Sequence, residues 1–454
     1  MIFGIMFPVK ICFETFGCRL NRAEALQQEA EFVSAGWELT KEHADADMIV
    51  VRGCSVTARA QRECEHLIDH LRRKYPRKRL IVEGCLERRL GAGGTRAADV
   101  LPPGVRRVLR DGSQDEPLPA RTARAYLKVQ DGCTGKCAFC IVPRFRGAAK
   151  SVPFGDVLHR AERFIKAGYH EIVVTGCNLS LYSSEGHTLA DLATALAKID
   201  SECRIRLGSI EPTAEAVKVV EAMAASPNIC RFLHLAIQSG SNTVLSRMRR
   251  AYLMHSVERT LRLAEDAIPH AGLGCDIITG FPGETDAEFT ATKKLLQRFA
   301  FSNLHVFPFS ERPQTTAVLL KDQVPPPLRA KRAKELSEII KHKRSAFAKH
   351  FVGREVEIVV EDEKHLGGWT SEYLWCSVRS RGHSSAHGQD ASSRRPAGDM
   401  RQDASEAGER PAHDHEQTSR NEHRHSQRIH AKRKQKLRLL VESNQHGLLI
   451  GRPI

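Results

Sequence analysis

LKVQDGCTGKCAFCIVPRFRG, residues 127–147, carries Cys133, Cys137 and Cys140 directly after a stretch that reads as a β-strand. Gaps of three and then two residues let one tight loop bring three thiolates onto one metal cluster. Three ligands on a four-iron cluster leave one iron open, and an open position on a metal can hold a substrate or cofactor. This loop makes the chain an enzyme candidate rather than merely a cysteine-rich protein.

The strand before that loop is the first of six. AYLKVQDG, EIVVTG, RIRLGSI, FLHLAIQS, LGCDIITG and NLHVFPFS recur through residues 119–350, separated by helical stretches such as FGDVLHRAERFIKAG and SNTVLSRMRRAYLMHSVERTLRLAEDA. Six βα units with right-handed crossovers predict a partial, open (β/α) barrel. The loops after the strands are rich in polar residues and glycine, and this end of such a barrel carries the chemistry. Six strands rather than eight leave a gap through which a bulky substrate can enter.

Upstream, residues 10–118 also alternate strand and helix. KICFETFG, DMIVVRG and RLIVEG read as buried strands, with Asn21 as the cap of a helix running to Gly36 and a basic helix near residues 58–74. The three strands lead into Cys18, Cys54 and Cys85. Ligands gather beyond the carboxyl ends of strands in open α/β sheets, so three thiols far apart in sequence are expected to converge at a second cluster site. Downstream, residues 351–454 open with the strand VEIVVEDE and close with KLRLLVES and GLLIG; residues 369–378 offer one more strand. Between them, residues 379–434 contain almost no large apolar side chain, and such a segment cannot offset its own ordering entropy. The expected class is therefore α/β: an N-terminal parallel α/β domain, a six-unit barrel, and a small β-barrel interrupted by a disordered insertion.

Composition fits this plan. The chain has 454 residues, 41% hydrophobic and 27% charged, and no apolar run reaches the ~18 residues of a membrane helix. The opening MIFGIMFPVK lacks a basic front and a cleavage pattern, which predicts a cytoplasmic chain. Without an export signal, thirteen cysteines point to metal or catalysis rather than disulfides. Six fall into the two sets above. Cys12, Cys64, Cys177, Cys203, Cys230, Cys275 and Cys376 are expected to be small buried side chains. The net charge of +15 is concentrated in residues 72–79, 329–349 and 428–438, a pattern suited to a nucleic-acid partner.

The CxxxCxxC loop at the mouth of a partial barrel resembles the radical S-adenosylmethionine (SAM) superfamily. The resemblance implies a [4Fe-4S] cluster on Cys133, Cys137 and Cys140 that binds SAM and cleaves it to a 5′-deoxyadenosyl radical. In that context Thr175 and Gly176 are placed to meet the SAM amino group, Gln238 and Ser239 the ribose, and Ile278 and Gly280 the adenine. Adding TFGCRLN, RGCSVT, GCLERR, EIVVTGCNLSLY, QSGSNTVLSRMRRAY and LHVFPFSERPQT makes the chain similar to the methylthiotransferases, most of all the MtaB branch. That branch methylthiolates C2 of N6-threonylcarbamoyladenosine at position 37 of tRNA. The resemblance implies a second [4Fe-4S] cluster on Cys18, Cys54 and Cys85, an RNA-binding TRAM domain at the C-terminus and docking of the tRNA anticodon stem-loop. It also implies an external electron donor and a sulfur donor, and a monomer without a membrane. Two departures stand out: Arg52–Gly53 where the family has Asn-Thr, and Glu87–Arg88 where Ala-Gln is usual. The competing expectations are a methylthiotransferase for isopentenyladenosine tRNA or a ribosomal-protein aspartate, and a non-catalytic carrier of electrons with two clusters.

Overall fold

The computed structural model describes residues 9–86, 122–362, 366–378 and 436–454. Glu87, Arg88 and the 379–434 insertion lie outside the described residues.

The first domain is a parallel sheet of β1 (Lys10–Thr15), β2 (Glu38–Thr40), β3 (Met48–Gly53) and β4 (Arg79–Gly84), in the order β2-β1-β3-β4. Its centre, β3, is a β-branched run with Met48, Ile49, Val50 and Val51 buried, as a strand covered on both faces requires. Helix α1 (Arg19–Ser34) ends before Gly36, whose φ of +85° only glycine adopts freely. Its cap is Cys18 rather than Asn21. Asn21 lies inside the first turn, because its side chain is drawn back to the carbonyls of Phe16 and Gly53. Helix α2 (Ala58–Lys74) is capped by the Thr57 hydroxyl, which accepts from the Ala60 N–H. Gln61, Cys64, Ile68 and Leu71 recur on its buried face, and Arg72, Arg73 and Lys74 close its last turn. The short β2 has no counterpart among the sequence expectations.

Six parallel strands follow: β5 (Ala125–Lys128), β6 (Glu171–Thr175), β7 (Arg204–Leu207), β8 (Phe232–Gln238), β9 (Gly272–Thr279) and β10 (Phe301–Pro308). They form two sheets, β7-β6-β5 and β8-β9-β10, joined by the parallel bridges Ile205–Ile229 and Ile210–Leu235. Among the described residues no ladder joins β5 to β10, so the barrel is open on that side. Leu127, Ile172, Val174, Ile205, Leu235, Leu273 and Phe301 share one core with the surrounding helices. The long stretch expected as one helix is two, Asn242–Arg247 and Met254–Ala267, with Arg249 between them at φ +56°.

Strands β11 (Glu355–Asp362), β12 (Gly367–Trp369), β13 (Trp375–Val378), β14 (Lys436–Gln445) and β15 (Leu448–Pro453) close a small barrel in the order β11-β12-β13-β15-β14. The ladders that close this barrel all lie among the described residues on either side of the insertion. The loop between β12 and β13 stoppers the amino ends of the large barrel's strands. A Cβ on Gly272, the first residue of β9, would lie 2.4 Å from the Glu372 carbonyl oxygen. Arg206 donates to the carbonyls of Thr370 and Ser371, and Arg204 to those of Glu357 and Trp369. Both guanidiniums are held by Glu171, which is fully buried at the start of β6. Among the described residues no helix is long and apolar enough to cross a membrane.

Candidate active site

A cavity of about 1440 Å³ lies between the first domain and the carboxyl ends of the barrel strands. Cys18, Cys54, Cys85, Cys133, Cys137 and Cys140 all line it. None of the six is in a disulfide. The donor set fits iron–sulfur clusters in two respects. A Cβ on Gly135 would sit 3.2 Å from Cys133 Sγ and 3.6 Å from Cys137 Sγ, so the loop keeps clear the space that a side chain would fill between them. Gly17, at φ +96°, does the same for the other set: its Cβ would fall 2.9 Å from Cys54 Sγ. Burial pushes the Cys54 and Cys140 thiols up to about 12, with neighbouring cysteines adding to the rise. Such thiols stay protonated until a metal displaces the proton, so cluster binding and ligand ionisation occur together.

The residues that support the cysteine loop lie far from it in sequence. Arg250 donates to Cys137 Sγ at 3.1 Å, to Glu211 at 2.8 Å and to the Tyr252 hydroxyl at 2.8 Å. The break between the two helices, with Arg249 left-handed, brings Arg250 to this point. The motifs SIEP and RRAY contain Glu211, Arg250 and Tyr252, but only the fold brings them to the cysteine loop.

Thr175, Gly176, Gln238 and Ile278 line the cavity; Ser239 and Gly280 do not. The Ser239 hydroxyl accepts from the Ser241 N–H in the turn after β8. The Gly280 N–H donates to Glu284, and a Cβ there would lie 2.4 Å from Arg329 Cγ. Gly176 is packed so closely that a Cβ would meet Gln130 at 2.9 Å. Gln238 holds φ +70° at a register shift in β8, a conformation that costs about 1 kcal/mol or more and concentrates at functional sites. Two residues before Ile278, Asp276 lies 3.0 Å from both His234 Nε2 and His305 Nδ1. Burial raises the pKa of the Asp276 carboxyl, but the two imidazoles outweigh it and hold the group well below the usual range. An ionised carboxylate only accepts, so both facing ring nitrogens carry protons.

Of the seven remaining cysteines six are buried, whereas Cys177 is half-buried and lines the cavity, with Asp131 Oδ1 at 3.4 Å. Arg52, one of the two departures, faces away from the thiols and binds Glu24, Gln28 and Glu83. The basic run at 329–349 is only partly a surface feature. Arg329 is held by the carbonyls of Val324 and Phe309, and Arg332 by Glu284 and Asp286, both guanidiniums being buried.

Residues 127–296 match the family described as the radical SAM superfamily, and residues 10–99 match "Uncharacterized protein family UPF0004". Similar proteins include the threonylcarbamoyladenosine tRNA methylthiotransferase MtaB of Aquifex aeolicus, 30% identical over 79% of this chain and 94% of that one. The MtaB of Bacillus subtilis is 32% identical over 80% and 89%. The tRNA-2-methylthio-N(6)-dimethylallyladenosine synthase of Cutibacterium acnes is 32% identical over 76% and 77%. These matches define a radical SAM enzyme of the transferase class. Within that class the chain belongs to the methylthiotransferase family and is MtaB-like. Membership implies a [4Fe-4S] cluster and SAM.

Proposed function

We propose that the chain adds a methylthio group to C2 of N6-threonylcarbamoyladenosine at position 37 of tRNA, using two [4Fe-4S] clusters. One observation carries the reading: two sets of three cysteines, on two domains, line a single cavity. A lone SAM-cleaving centre needs only one set. In this reading Cys133, Cys137 and Cys140 hold the SAM-binding cluster, while Cys18, Cys54 and Cys85 hold the auxiliary one. When bound, the two clusters and SAM supply a carbon radical and an iron-bound sulfur. In the same reading Thr175 and Gly176 would meet SAM's amino group, Gln238 its ribose and Ile278 the adenine, and all four line the cavity. Arg250 keeps Cys137 in place through a charge-assisted contact. The opening between β5 and β10 admits a nucleotide turned out of an RNA loop.

The relatives support this substrate by name, and one observation favours a second reading. The Cutibacterium acnes relative, named for dimethylallyladenosine, is as similar as the MtaB proteins. An isopentenyladenosine tRNA is therefore the alternative. Anaerobic reconstitution, iron counting and nucleoside mass spectrometry with both tRNAs test the proposal. Iron for two clusters and a methylthio mass gain on threonylcarbamoyladenosine are expected. A gain confined to isopentenyladenosine would transfer the assignment, and iron for one cluster would end the two-cluster reading.

A further inference from the structure

The two sets of thiols belong to separate domains, and one hydrogen-bonded line runs between them. On the barrel side, the Cys133 N–H donates to the Gly147 carbonyl at 3.0 Å. That approach depends on Gly132, at φ +68°, because a Cβ there would lie 2.7 Å from the same carbonyl oxygen. The residue before Gly147 is Arg146, whose side chain is 4% exposed. Arg146 Nη2 donates to Asn21 Oδ1 at 2.7 Å, and its Nη1 binds Glu24 at 2.9 Å and Asp131 at 3.0 Å. On the far side, Asn21 is fully buried and its Nδ2 donates to Phe16 O at 2.8 Å and Gly53 O at 3.3 Å. Phe16 leads through Gly17 into Cys18, and Gly53 precedes Cys54. One amide therefore ties two of the three ligand turns of the first domain, those of Cys18 and Cys54, to the segment that anchors Cys133.

The orientation of that amide is determined by its neighbours. The guanidinium has only donors, so it must face Oδ1; the two carbonyls only accept, so they must face Nδ2. A flipped amide would place donor against donor and acceptor against acceptor. We propose that Asn21, oriented by Arg146, is a positioning residue that fixes the auxiliary thiols relative to the SAM-binding loop. The proposal rests on the two-cluster reading. Its functional consequence is coupling: SAM cleavage needs only the barrel loop, whereas product formation needs both centres in register. A displacement of about 1 Å at a reacting centre is enough to cost on the order of a hundredfold in rate.

The test compares wild type with Asn21→Ala, Arg146→Lys and Glu24→Gln after anaerobic reconstitution. Lysine keeps a charge beside Glu24 and Asp131 but lacks the planar fork that also reaches Asn21. Three quantities are measured: iron per chain, the cluster–cluster distance distribution by pulsed electron paramagnetic resonance of the reduced protein, and the ratio of 5′-deoxyadenosine to methylthio product. A fourth is amide exchange at residues 16–18 and 53–55 in the metal-free chain. Asn21→Ala and Arg146→Lys are expected to keep full iron and SAM cleavage, broaden the distance distribution, speed that exchange and raise the ratio about tenfold or more. Glu24→Gln loosens Arg146, whose Nη2 also donates to Glu24 at 3.1 Å, and is expected to move distance and ratio the same way by a smaller factor. Full iron with wild-type distances and ratio in both line variants overturns the inference alone. Iron for a single cluster in wild type overturns the two-cluster reading and the inference with it. If Asn21→Ala does not fold, Arg146→Lys, which leaves both carbonyl contacts of Asn21 in place, decides the matter.

Discussion

Arg19 donates to the Tyr373 hydroxyl at 2.7 Å, and its guanidinium lies 5.2 Å from the centroid of that ring. Arg19 adjoins Cys18 in the first domain, and Tyr373 lies in the loop between β12 and β13 of the last. The tyrosine is rigid: it sits at φ +65° and stacks on Phe232 of the barrel at 4.7 Å and on Trp369 at 4.4 Å. All three domains thus meet at one ring, and both Arg19 and Tyr373 line the reaction cavity. The terminal β-domain forms part of the chamber floor in addition to any contact it makes with RNA.

Tyr373→Phe removes the hydroxyl and keeps the stacking. A hydrogen bond to a charged group contributes roughly 1.5–3 kcal/mol, so the Arg19 contact should weaken by about that much while the fold persists. The expected result is SAM cleavage within about twofold of wild type and a several-fold loss of methylthio product. Tyr373→Ala also deletes the aromatic stack and should cost about 3–5 kcal/mol, seen as a lowered melting temperature. Undiminished product from Tyr373→Phe would dismiss the hydroxyl as an organiser of the Cys18 turn.

Cysteine variants separate the two centres. In the proposed reading Cys137→Ala removes a ligand of the SAM-binding cluster, and it should abolish deoxyadenosine formation while far-ultraviolet circular dichroism stays near wild type. Cys54→Ala should cleave SAM and yield no methylthio product. Full product from Cys54→Ala would remove the auxiliary site from the reaction.

Much of this architecture was legible because its signals are local. The six barrel strands and the three longer strands of the first domain are apolar runs ending in glycine or polar loops, and the structure has all nine strands in those runs. The Glu38–Thr40 strand escaped because three residues carry too little periodicity to register. The helix break before Arg250 escaped because no glycine or proline stands between Met248 and Leu253; Arg249 takes the left-handed place just past the helix that glycine usually marks, with its N–H donating to Ser246 O and that of Arg250 to Leu245 O. Asn21 reads as a cap by composition, yet its partners are Arg146, 125 residues away, and Gly53. The six candidate ligands stood out as cysteines after strands, whereas Arg146, Arg250 and Tyr373 act through side-chain reach, which no short motif encodes.

Glu171 should prove essential to stability rather than to chemistry. Its carboxylate, fully buried, lies 2.7 Å from Arg206 Nε and 3.6 Å from Arg124, and pairs also with Arg204. Burial raises its pKa, but the three guanidiniums outweigh that and keep the group ionised. Glu171→Ala leaves buried cations without their shared partner, a defect that costs about 3–5 kcal/mol. Because Arg204 and Arg206 also hold the 369–371 carbonyls, proteolysis should release the terminal β-domain from the barrel early in the variant. Wild-type thermal stability in Glu171→Ala would contradict this.

Acid should loosen the seam between the first domain and the barrel. Burial raises the Glu24 pKa, but hydrogen bonds and charge from Arg146 and Lys128 outweigh it and bring the carboxyl from 4.5 to about 2. A depressed folded-state pKa contributes stability that is complete above the unfolded value and is lost as pH falls through the folded one. The window therefore runs from about 4.5 down to about 2. The full difference corresponds to ~3 kcal/mol. Glu24→Gln should be less stable than wild type near neutrality, and the gap in melting temperature should close as pH drops through that window. A gap independent of pH would mean that the carboxylate's charge contributes nothing at this seam.

Salt should separate cations that face a polyanion from cations that hold the fold. Arg72, Arg73, Lys74, Arg77 and Arg79 are exposed around the end of α2, and Lys331, Lys334, Lys341 and Lys349 are exposed on the helix Pro326–Lys349. Each phosphate contact to single-stranded RNA contributes about 0.7 to the slope of log affinity against log salt. A triple change of Arg72, Arg73 and Lys74 to glutamine should weaken tRNA binding and lower that slope by up to about 2. Arg332→Gln removes a cation of the 329–349 run, but one held by Glu284 and Asp286 inside the protein. It should reduce stability and leave the slope as in wild type. Filter binding across a salt series checks both. Equal slopes for wild type and the triple variant would place the RNA elsewhere on the molecule, and a reduced slope for Arg332→Gln would show that the buried guanidinium reaches the RNA after all.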